Sequence, residues 1–456
     1  MLTVHGQPAR YCDGVTRRSA LQIGTFAFGT TAFTMADVFR AEARAKESGP
    51  SRSGTGLGHK AVINVYLGGG PPHQDMWDIK TDAPAEIRGE FKPISTAVPG
   101  LQIGETFPKI AAMMDKFAVI RSLVGGQDRH DPWWTTSGGF PANSLSGIGG
   151  RPSLGAALAK MQGAVDPSVP PFVGLCDKTA HMPWSDPGQS GFLGSTFAAF
   201  KPSGPDLANM RMNGVNAGNL GDRKKLLAGF DGLRKELDAG GTLAAADAHT
   251  QRAMDVLLSS KLIDALDVGK EDPKVRDRYG DGKPYKFQFD GAPTANDQFL
   301  MARRLVQAGV RCVSLTFGRW DSHGKNFDLV RDHGGKLDQA LTALVWDLER
   351  NDMLDDVVVV AWGEFGRTPR INKDAGRDHW APVSCAILAG GGLKTGQAVG
   401  STNRLGETAK DRPVTYGEVF ATLYHALGIN TETATITDPT GRPQYVAEGR
   451  PMRELV

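Results

Sequence analysis

The stretch D-V-V-V-V-A-W-G-E-F-G-R-T-P-R-I-N, residues 356–372, decides the fold of this chain. Its apolar start shows no alternation with polar residues, which is typical of a strand buried on both faces. Residues 311–323, R-C-V-S-L-T-F-G-R-W-D-S-H, repeat the arrangement: an apolar run followed at once by polar side chains. Such strands belong to parallel sheets covered by helices, so the two stretches favour an α/β fold.

The order of elements around these stretches supports the same fold class. We predict strands at 61–67, 117–123, 311–317, 356–361 and 384–388, and helices at 296–308, 335–351 and 416–427. Helices alternate with buried strands, which indicates a mainly parallel central sheet with helices on both faces. We expect one domain over 61–456, with an irregular and helical insertion at about 176–295 whose residues 221–268 have helical periodicity.

Length and composition fit an ordinary globular protein. The chain has 456 residues, of which 40% are hydrophobic and 22% charged, with a net charge of +2. This small charge implies no strong general attraction to nucleic acid. The four cysteines match no zinc ribbon and no C-x-x-C motif.

The N-terminus is typical of an export signal. Thr16-Arg-Arg-Ser-Ala-Leu21 is a twin-arginine pattern, and small-residue cleavage candidates follow at 41–45. The alternatives are a membrane anchor or an ordinary helix, but the weakly apolar stretch 23–38 would span a bilayer poorly. We therefore expect a signal peptide at 1–45, a polar linker at 46–60, and an extracytoplasmic protein with no stable membrane insertion after cleavage.

Asp321 and His323 are the first candidate metal ligands. They follow a predicted strand directly, and ligands of open α/β sheets gather beyond the carboxyl ends of strands. A D-x-H spacing in a loop lets carboxylate and imidazole reach one ion. The alternative is an Asp that caps a turn beside a solvated His. Asn326 could add an amide oxygen, although Asn is also common in turns.

A second set follows residues 356–361. Asp378 and His379 are adjacent, and both can bind one ion only if the backbone is irregular there. Glu364 is a candidate ligand or general base. Arg367 and Arg377 suit an oxyanion, because guanidinium groups bind phosphate or sulfate in bidentate fashion. Their alternative role is a salt bridge to Glu364 or Asp378.

Two further loops carry candidates. Asp75 and Asp78, after the first strand, could complete a second metal position, or they could cap the following turn. His130, after the second strand, is equally open between ligand and structural histidine, and we also count it among the candidate catalytic residues. His425, within a helical pattern, is better explained as structural. No G-x-S-x-G elbow is present, so a serine hydrolase has no support.

Several of these motifs resemble one bacterial family. The twin-arginine leader, the L-G-G-G-P block at 67–71, W-D-S-H at 320–323, G-E-F-G-R-T-P at 363–369 and G-R-D-H-W at 376–380 resemble the family called domain of unknown function fifteen-oh-one. The resemblance spans nearly the whole chain. That family is grouped with the alkaline-phosphatase-like and sulfatase-like superfamily, which implies a three-layer α/β/α sandwich.

The resemblance also implies site residues. By that likeness Asp75 or Asp78 would be the early acid, Asp378 and His379 the adjacent pair, and Asp321 with His323 the remaining set. Two features depart from the superfamily: the D-x-H spacing is shorter, and the loop after the second strand offers no hydroxyl that we assign as nucleophile.

Two functional hypotheses follow. The first is an exported hydrolase of phosphate or sulfate esters, acting on a small-molecule or glycan substrate and using a divalent metal such as zinc, manganese, calcium or magnesium. The second is a non-catalytic protein that binds anions or glycans on the same fold. The oligomeric state is left open.

Overall fold

The computed structural model describes residues 26–28, 31–33, 56–202, 260–283, 285–286 and 290–456. The chain divides into two units, Met1–Thr55 and Gly56–Val456. In the first unit, Phe26–Phe28 pairs with Thr31–Phe33 in antiparallel fashion. Most of the expected signal peptide, most of the linker and residues 203–259 of the insertion lie outside the described residues.

An eight-stranded sheet forms the centre of the second unit. Its strands, numbered in chain order, are β1 (Ala61–Tyr66), β2 (Phe117–Val124), β3 (Phe172–Leu175), β4 (Cys312–Thr316), β5 (Val357–Trp362), β6 (Ser384–Gly390), β7 (Gln397–Val399) and β8 (Val414–Thr415). The spatial order is β7-β2-β6-β5-β1-β4-β3, and β8 also pairs with β2.

The sheet is mainly parallel. Only β6 runs against its neighbours, pairing with β2 and β5 in antiparallel fashion, whereas β1 pairs in parallel with both β5 and β4. The carboxyl ends of β1, β2, β4 and β5 therefore meet at one edge of the sheet. All six residues of β5 are buried, as its apolar sequence predicts.

Helices cover both faces of this sheet. Among the described residues, the four longest are α1 (Leu154–Gln162), α2 (Asp297–Gln307), α3 (Asn326–Arg350) and α4 (Tyr416–Ala426). Helices α2 and α3 pack with Ile63, Val313 and Val359 on one face, and α1 and α4 pack with Val62 and Val360 on the other. The expected three-layer α/β/α sandwich with a mainly parallel central sheet is confirmed.

Shorter elements connect these layers. The other helices in the described ranges are His73–Met76, Ala85–Arg88, Pro108–Ala112, Ser260–Leu266 and Pro273–Tyr279, with 3₁₀ turns at Met114–Lys116, Pro132–Thr135, Ser146–Ile148, Met182–Ser185, Gly191–Leu193, Ser195–Phe197 and Val268–Lys270. Two-stranded pairs join Pro93–Ser95 to Gln102–Gly104, Gly366–Arg367 to His379–Trp380, Ser401–Thr402 to Ala409–Asp411, and Thr435–Thr437 to Pro443–Tyr445.

The largest departure from the sequence prediction is the start of α3. The helix begins at Asn326, not at 335, and continues through Gly334 and Gly335. A Cβ on Gly334 would approach Phe107 Cζ to 3.1 Å, so the absent side chain lets the helix pack closely there. No helix in the described part of the chain is long and apolar enough to cross a membrane.

Candidate metal centre

Loops at the carboxyl edge of the sheet bring one carboxylate and three imidazoles together. His130 follows β2, Asp321 and His323 follow β4, and His379 lies in the segment between β5 and β6. The short strand His379–Trp380 pairs with Gly366–Arg367, which fixes the backbone of His379 against the segment that leaves β5. We call these four residues the Asp321 cluster.

The three imidazoles present their Nε2 atoms to the same carboxylate oxygen. Asp321 Oδ1 lies 3.0 Å from His323 Nε2, 3.2 Å from His379 Nε2 and 3.5 Å from His130 Nε2. The Nε2 atoms of His323 and His379 are 3.1 Å apart. Donor atoms of His130, Asp321 and His379 all lie within 4.8 Å of one another, so this group could hold a metal ion.

Each imidazole of the cluster has a carboxylate at its other ring nitrogen. Because an ionised carboxylate only accepts hydrogen bonds, each Nδ1 donates to its carboxylate and Nε2 faces the centre of the cluster, where it would offer its lone pair to a bound cation and otherwise donates towards Asp321. The Nδ1 contacts are His130 to Glu364 Oε1 at 3.2 Å, His323 to Asp378 Oδ1 at 2.7 Å, and His379 to Asp128 Oδ1 at 2.5 Å.

This donor set fits a divalent ion. Lone pairs of neighbouring Nε2 atoms repel one another at 3.1 Å unless a cation or a proton lies between them. Donors arranged tetrahedrally around zinc, at Zn–N of about 2.0–2.1 Å, would be about 3.3 Å apart. The separations from Asp321 Oδ1, between 3.0 and 3.5 Å, are close to that spacing. Only His130, Asp321 and His379, among the described residues, form a group whose donor atoms all lie within 4.8 Å of one another, and His323 adjoins this group through Asp321 and His379.

Asp321 is held in its ionised form. Burial alone would raise its pKa, but hydrogen bonds from His130 and His379 and the charge of Arg367 bring the pKa well below its usual range. For His130, burial works to lower the pKa, and the contacts with Asp321 and Glu364 outweigh it and raise the pKa to about 9. The carboxylates around the cluster thus favour positive charge at its centre.

Glu364 supports the cluster from within the protein. Its side chain is fully buried, accepts hydrogen bonds from Gly69 N at 2.9 and 3.2 Å, and contacts His130 Nδ1. The sequence suggested a ligand or a general base at this position. The structure places Glu364 behind His130, where it orients the imidazole.

The two candidate oxyanion arginines are both fully buried. Arg367 donates to the carbonyls of Gly69, Gly70 and Arg377 and to Asp321 Oδ1. Arg377 donates through Nε to Asp75 Oδ2 at 2.6 Å and through Nη2 to Asp75 Oδ1 at 2.9 Å. These contacts engage the guanidinium groups inside the protein, so the structure does not bring them to an open face of the cluster.

Asp75 and Asp78, the predicted acids after the first strand, lie apart from the Asp321 cluster and form other ion pairs. Both oxygens of Asp75 face Arg377, and Asp78 pairs with Lys80 Nζ at 2.8 Å and accepts from Thr402 Oγ1 at 2.5 Å. The structure therefore brings together Asp321, His323 and His379 of the predicted ligands. Asp378 lies behind His323, and His130 joins the group.

Asp128 is a residue of the site that the sequence analysis did not single out. Its carboxylate contacts His379 Nδ1, in the same way that Asp378 contacts His323. A signal was present, because Asp128-Arg-His130 repeats the D-x-H spacing of Asp321-Ser-His323. That repeat marks two loops that meet at one site.

The described hydroxyl and thiol groups near the Asp321 cluster are not directed towards it. Ser322 donates to Asn326 Oδ1 at 2.8 Å, and both Thr135 and Thr136 donate to Pro132 O at 3.0 Å. Burial raises the pKa of the Cys176 thiol to about 12. None of these groups is placed as an activated nucleophile.

Comparisons with known proteins agree with the family expectation. Residues 59–456 match the family described as "Protein of unknown function (DUF1501)". No curated protein matches the chain.

Solved structures with similar folds are distant in sequence. The lipoteichoic acid synthase LtaP from Listeria monocytogenes is 9% identical, with 83% of this chain and 73% of that chain covered and a TM-score of 0.37. The PsFucS1 sulfatase from Pseudoalteromonas sp. is 11% identical, with 87% and 72% covered and a TM-score of 0.36. A protein in the alkaline phosphatase superfamily from Vibrio parahaemolyticus is 11% identical, with 81% and 67% covered and a TM-score of 0.36. Structural similarities this distant carry no argument about the activity of this chain. Evidence for an activity has to come from the geometry of the site.

Proposed function

This chain belongs to the DUF1501 family, and from its site we propose that it is a metal-dependent hydrolase of phosphate or sulfate esters. The observation that carries the proposal is the convergence of three imidazole Nε2 atoms on Asp321 Oδ1. The G-E-F-G-R-T-P and G-R-D-H-W blocks resemble the DUF1501 family, and the grouping of that family with the sulfatase-like superfamily supports esters of this kind as the substrate class.

Zinc is the metal that the donor set suits best. Three imidazole nitrogens and one carboxylate oxygen are typical zinc donors, whereas calcium and magnesium prefer oxygen donors throughout. When bound, a divalent ion supplies positive charge that polarises an ester oxygen and stabilises the charge developed during hydrolysis. His130, Asp321 and His379 would hold that ion, with His323 close to Asp321 as a fourth donor and with carboxylates behind the imidazoles.

A water molecule is the proposed nucleophile. The nearby hydroxyls of Ser322, Thr135 and Thr136 are engaged in internal hydrogen bonds, and the Cys176 thiol keeps its proton. The carboxylate contacts hold each imidazole in one orientation, which preorganises the site before substrate binds.

The test compares metal content in wild type, His379→Ala and His425→Ala. His425 is exposed on α4 and serves as the matched control. We expect about one zinc per wild-type and His425→Ala chain and strong loss in His379→Ala, together with turnover of nitrophenyl phosphate or sulfate that follows the metal. Equal metal content in wild type and His379→Ala would overturn the assignment.

A second candidate is an anion- or glycan-binding protein without turnover. It is favoured by the hydrogen bonds that engage Ser322, Thr135 and Thr136 away from the cluster. The same preparation separates the two candidates. Metal that is lost in His379→Ala, with binding but no turnover across a panel of esters, would assign the binding role.

The proposal places this chemistry outside the cytoplasm. The twin-arginine pattern with Arg17 and Arg18 supports that location. An Arg17→Lys/Arg18→Lys double variant should remain in the cytoplasm, whereas wild type should be recovered from the extracytoplasmic fraction. Equal export of both would remove the support.

A further inference from the structure

A basic cleft opens beside the Asp321 cluster. It has a volume of about 1170 Å³ and is bordered by His130, by the loop around Arg129 and Thr136, and by parts of residues 176–201. Ligand sites for small molecules usually have about 300–1000 Å³, so this cleft can take more than a simple monoester.

The charge of the cleft is positive. Arg129, Lys178 and Lys201 line it against two carboxylates, Asp131 and Asp186. Both carboxylates are engaged in local turns. Asp131 accepts from Trp133 N at 2.9 Å, and Asp186 accepts from Gly188 N at 2.9 Å and from Gln189 Nε2 at 3.2 Å.

Two of the three cations form no ion pair with a described residue. Within the ranges that the structure describes, the side chains of Arg129 and Lys178 have no ion-pair or hydrogen-bond partner, whereas Lys201 does have one. Both side chains are exposed. Two unneutralised cations on a concave surface concentrate anionic ligands there, since the walls of a cleft focus the electric field.

An imidazole connects this cleft to the cluster. His181 lines the cleft, and its ring lies edge-on to His130 with the ring centroids 5.1 Å apart. Its Nε2 atom is buried and has no hydrogen-bond partner among the described residues.

We propose that the basic cleft binds a second anionic group of an extended, polyanionic ester substrate while the Asp321 cluster holds the ester group that reacts. The inference rests on the proposed function and narrows its substrate class. Arg129 and Lys178 bind the second sulfate or phosphate group, and His181 borders the cleft beside His130, where the two anionic positions adjoin. The ligand is thus a chain with several anionic groups, such as a sulfated or phosphorylated oligosaccharide.

The experiment measures binding by calorimetry with the full, metal-containing chain. The probes are sulfated maltotetraose, phosphorylated maltotetraose and unmodified maltotetraose. The proteins are wild type, Arg129→Ala/Lys178→Ala and a matched control, Lys274→Ala/Arg276→Ala, which removes the same charges from exposed positions on the helix Pro273–Tyr279. Comparing the two charged probes distinguishes sulfate from phosphate.

We expect at least one charged probe to bind wild type, and the cleft variant to bind it about tenfold more weakly, as expected for the loss of two exposed charge pairs. The control should stay within about twofold, and rising salt should remove the difference between variants. Equal affinity of wild type and the cleft variant, or equal binding of charged and unmodified probes, would overturn the inference.

Metal content separates this inference from the proposed function. The cleft variant should retain its metal, because among the described residues neither side chain has a hydrogen bond or ion pair with the Asp321 cluster. If wild type lacks metal but binds a charged probe through Arg129 and Lys178, the cleft assignment stands and the hydrolase proposal fails. If metal and turnover persist while the probe binds both proteins equally, the cleft assignment fails and the hydrolase proposal stands.

Discussion

Arg377 and Asp75 form a bidentate ion pair with no solvent exposure on either side chain: Nε lies 2.6 Å from Oδ2, and Nη2 lies 2.9 Å from Oδ1. Asn326 Nδ2 adds a hydrogen bond to Oδ2 at 2.7 Å. This contact joins the segment between β5 and β6 to the helix His73–Met76 that follows β1. The segment that carries His379 is thereby fixed to the start of the fold.

Loss of this arginine should destabilise the whole domain. Arg377→Leu leaves the Asp75 carboxylate buried without its partner, for which we expect a cost of about 3–5 kcal/mol in the free energy of unfolding. Urea denaturation monitored by tryptophan fluorescence measures it. Arg370→Leu is the control, because that side chain is 76% exposed and makes only a 3.5 Å contact with Glu86. A cost for Arg377→Leu no larger than the control would contradict the structural role.

Asp378 should tune metal affinity without abolishing it. Its contact with His323 Nδ1 orients a donor, so Asp378→Asn should weaken metal binding by about 10–100-fold. His323→Ala removes the donor and should weaken binding further. Competition with a chromogenic chelator gives both affinities. Asp374→Asn, an exposed change in the same segment, should match wild type. If Asp378→Asn abolished binding as His323→Ala does, Asp378 would itself be a ligand.

Gly69 should be essential for the position of Asp321. Its φ is +102°, and a Cβ there would lie 2.5 Å from Asp321 N, so Gly69→Ala forces the cluster to move. We expect lower stability and lower metal affinity together. Gly125→Ala is the matched control: its φ is +97°, and no atom lies within 4 Å of its Cβ position. The control should lose about 1–2 kcal/mol of stability from the left-handed backbone and keep its metal affinity. Equal metal affinity in the two variants would refute the steric argument.

His73 should make the fold sensitive to acid. The side chain is fully buried, Nε2 donates to Gly406 O at 2.8 Å, and Nδ1 has no partner among the described residues. Burial lowers its pKa from 6.5 to about 4. The folded protein therefore stays neutral at His73 while the unfolded chain takes up a proton below pH 6.5. The contribution to stability is full above pH 6.5 and is lost as the pH falls towards 4.

The corresponding measurement is urea denaturation between pH 7 and 4. At 1.36 kcal/mol per pKa unit, the wild type should lose about 3 kcal/mol more than His73→Gln over this range. His425→Gln changes an exposed histidine and should follow wild type. Parallel pH profiles for wild type and His73→Gln would show that His73 is protonated in the fold or does not titrate differently on unfolding.

The sheet was predictable because its strands are apolar on both faces. The short apolar run 357–361 is typical of a strand buried on both faces, and the neighbouring helical patterns predict the helices that cover the sheet. The start of α3 was not predictable, since glycines at 334 and 335 suggest a boundary. Their tolerance depends on Phe107, which approaches Gly334 from a distant part of the chain.

Residue types and spacing identified Asp321, His323 and His379 as neighbours. They did not show which carboxylates face the metal position and which contact the imidazoles from behind. Whether a carboxylate contacts an ion or the far side of an imidazole is decided by side-chain direction. Sequence therefore could not separate Asp378 from a direct ligand. The bidentate pairing of Asp75 with Arg377 likewise depends on a contact between distant segments.

The reversed direction of β6 has a consequence for how this protein can vary. Because β6 runs against β5, the connecting residues 363–383 leave and re-enter the sheet at the same edge, the one that carries the Asp321 cluster. A parallel partner would have required a crossover to the opposite edge. Insertions in this arch can remodel the mouth of the site while strand order and core stay the same, so specificity can diverge among relatives at little cost to folding.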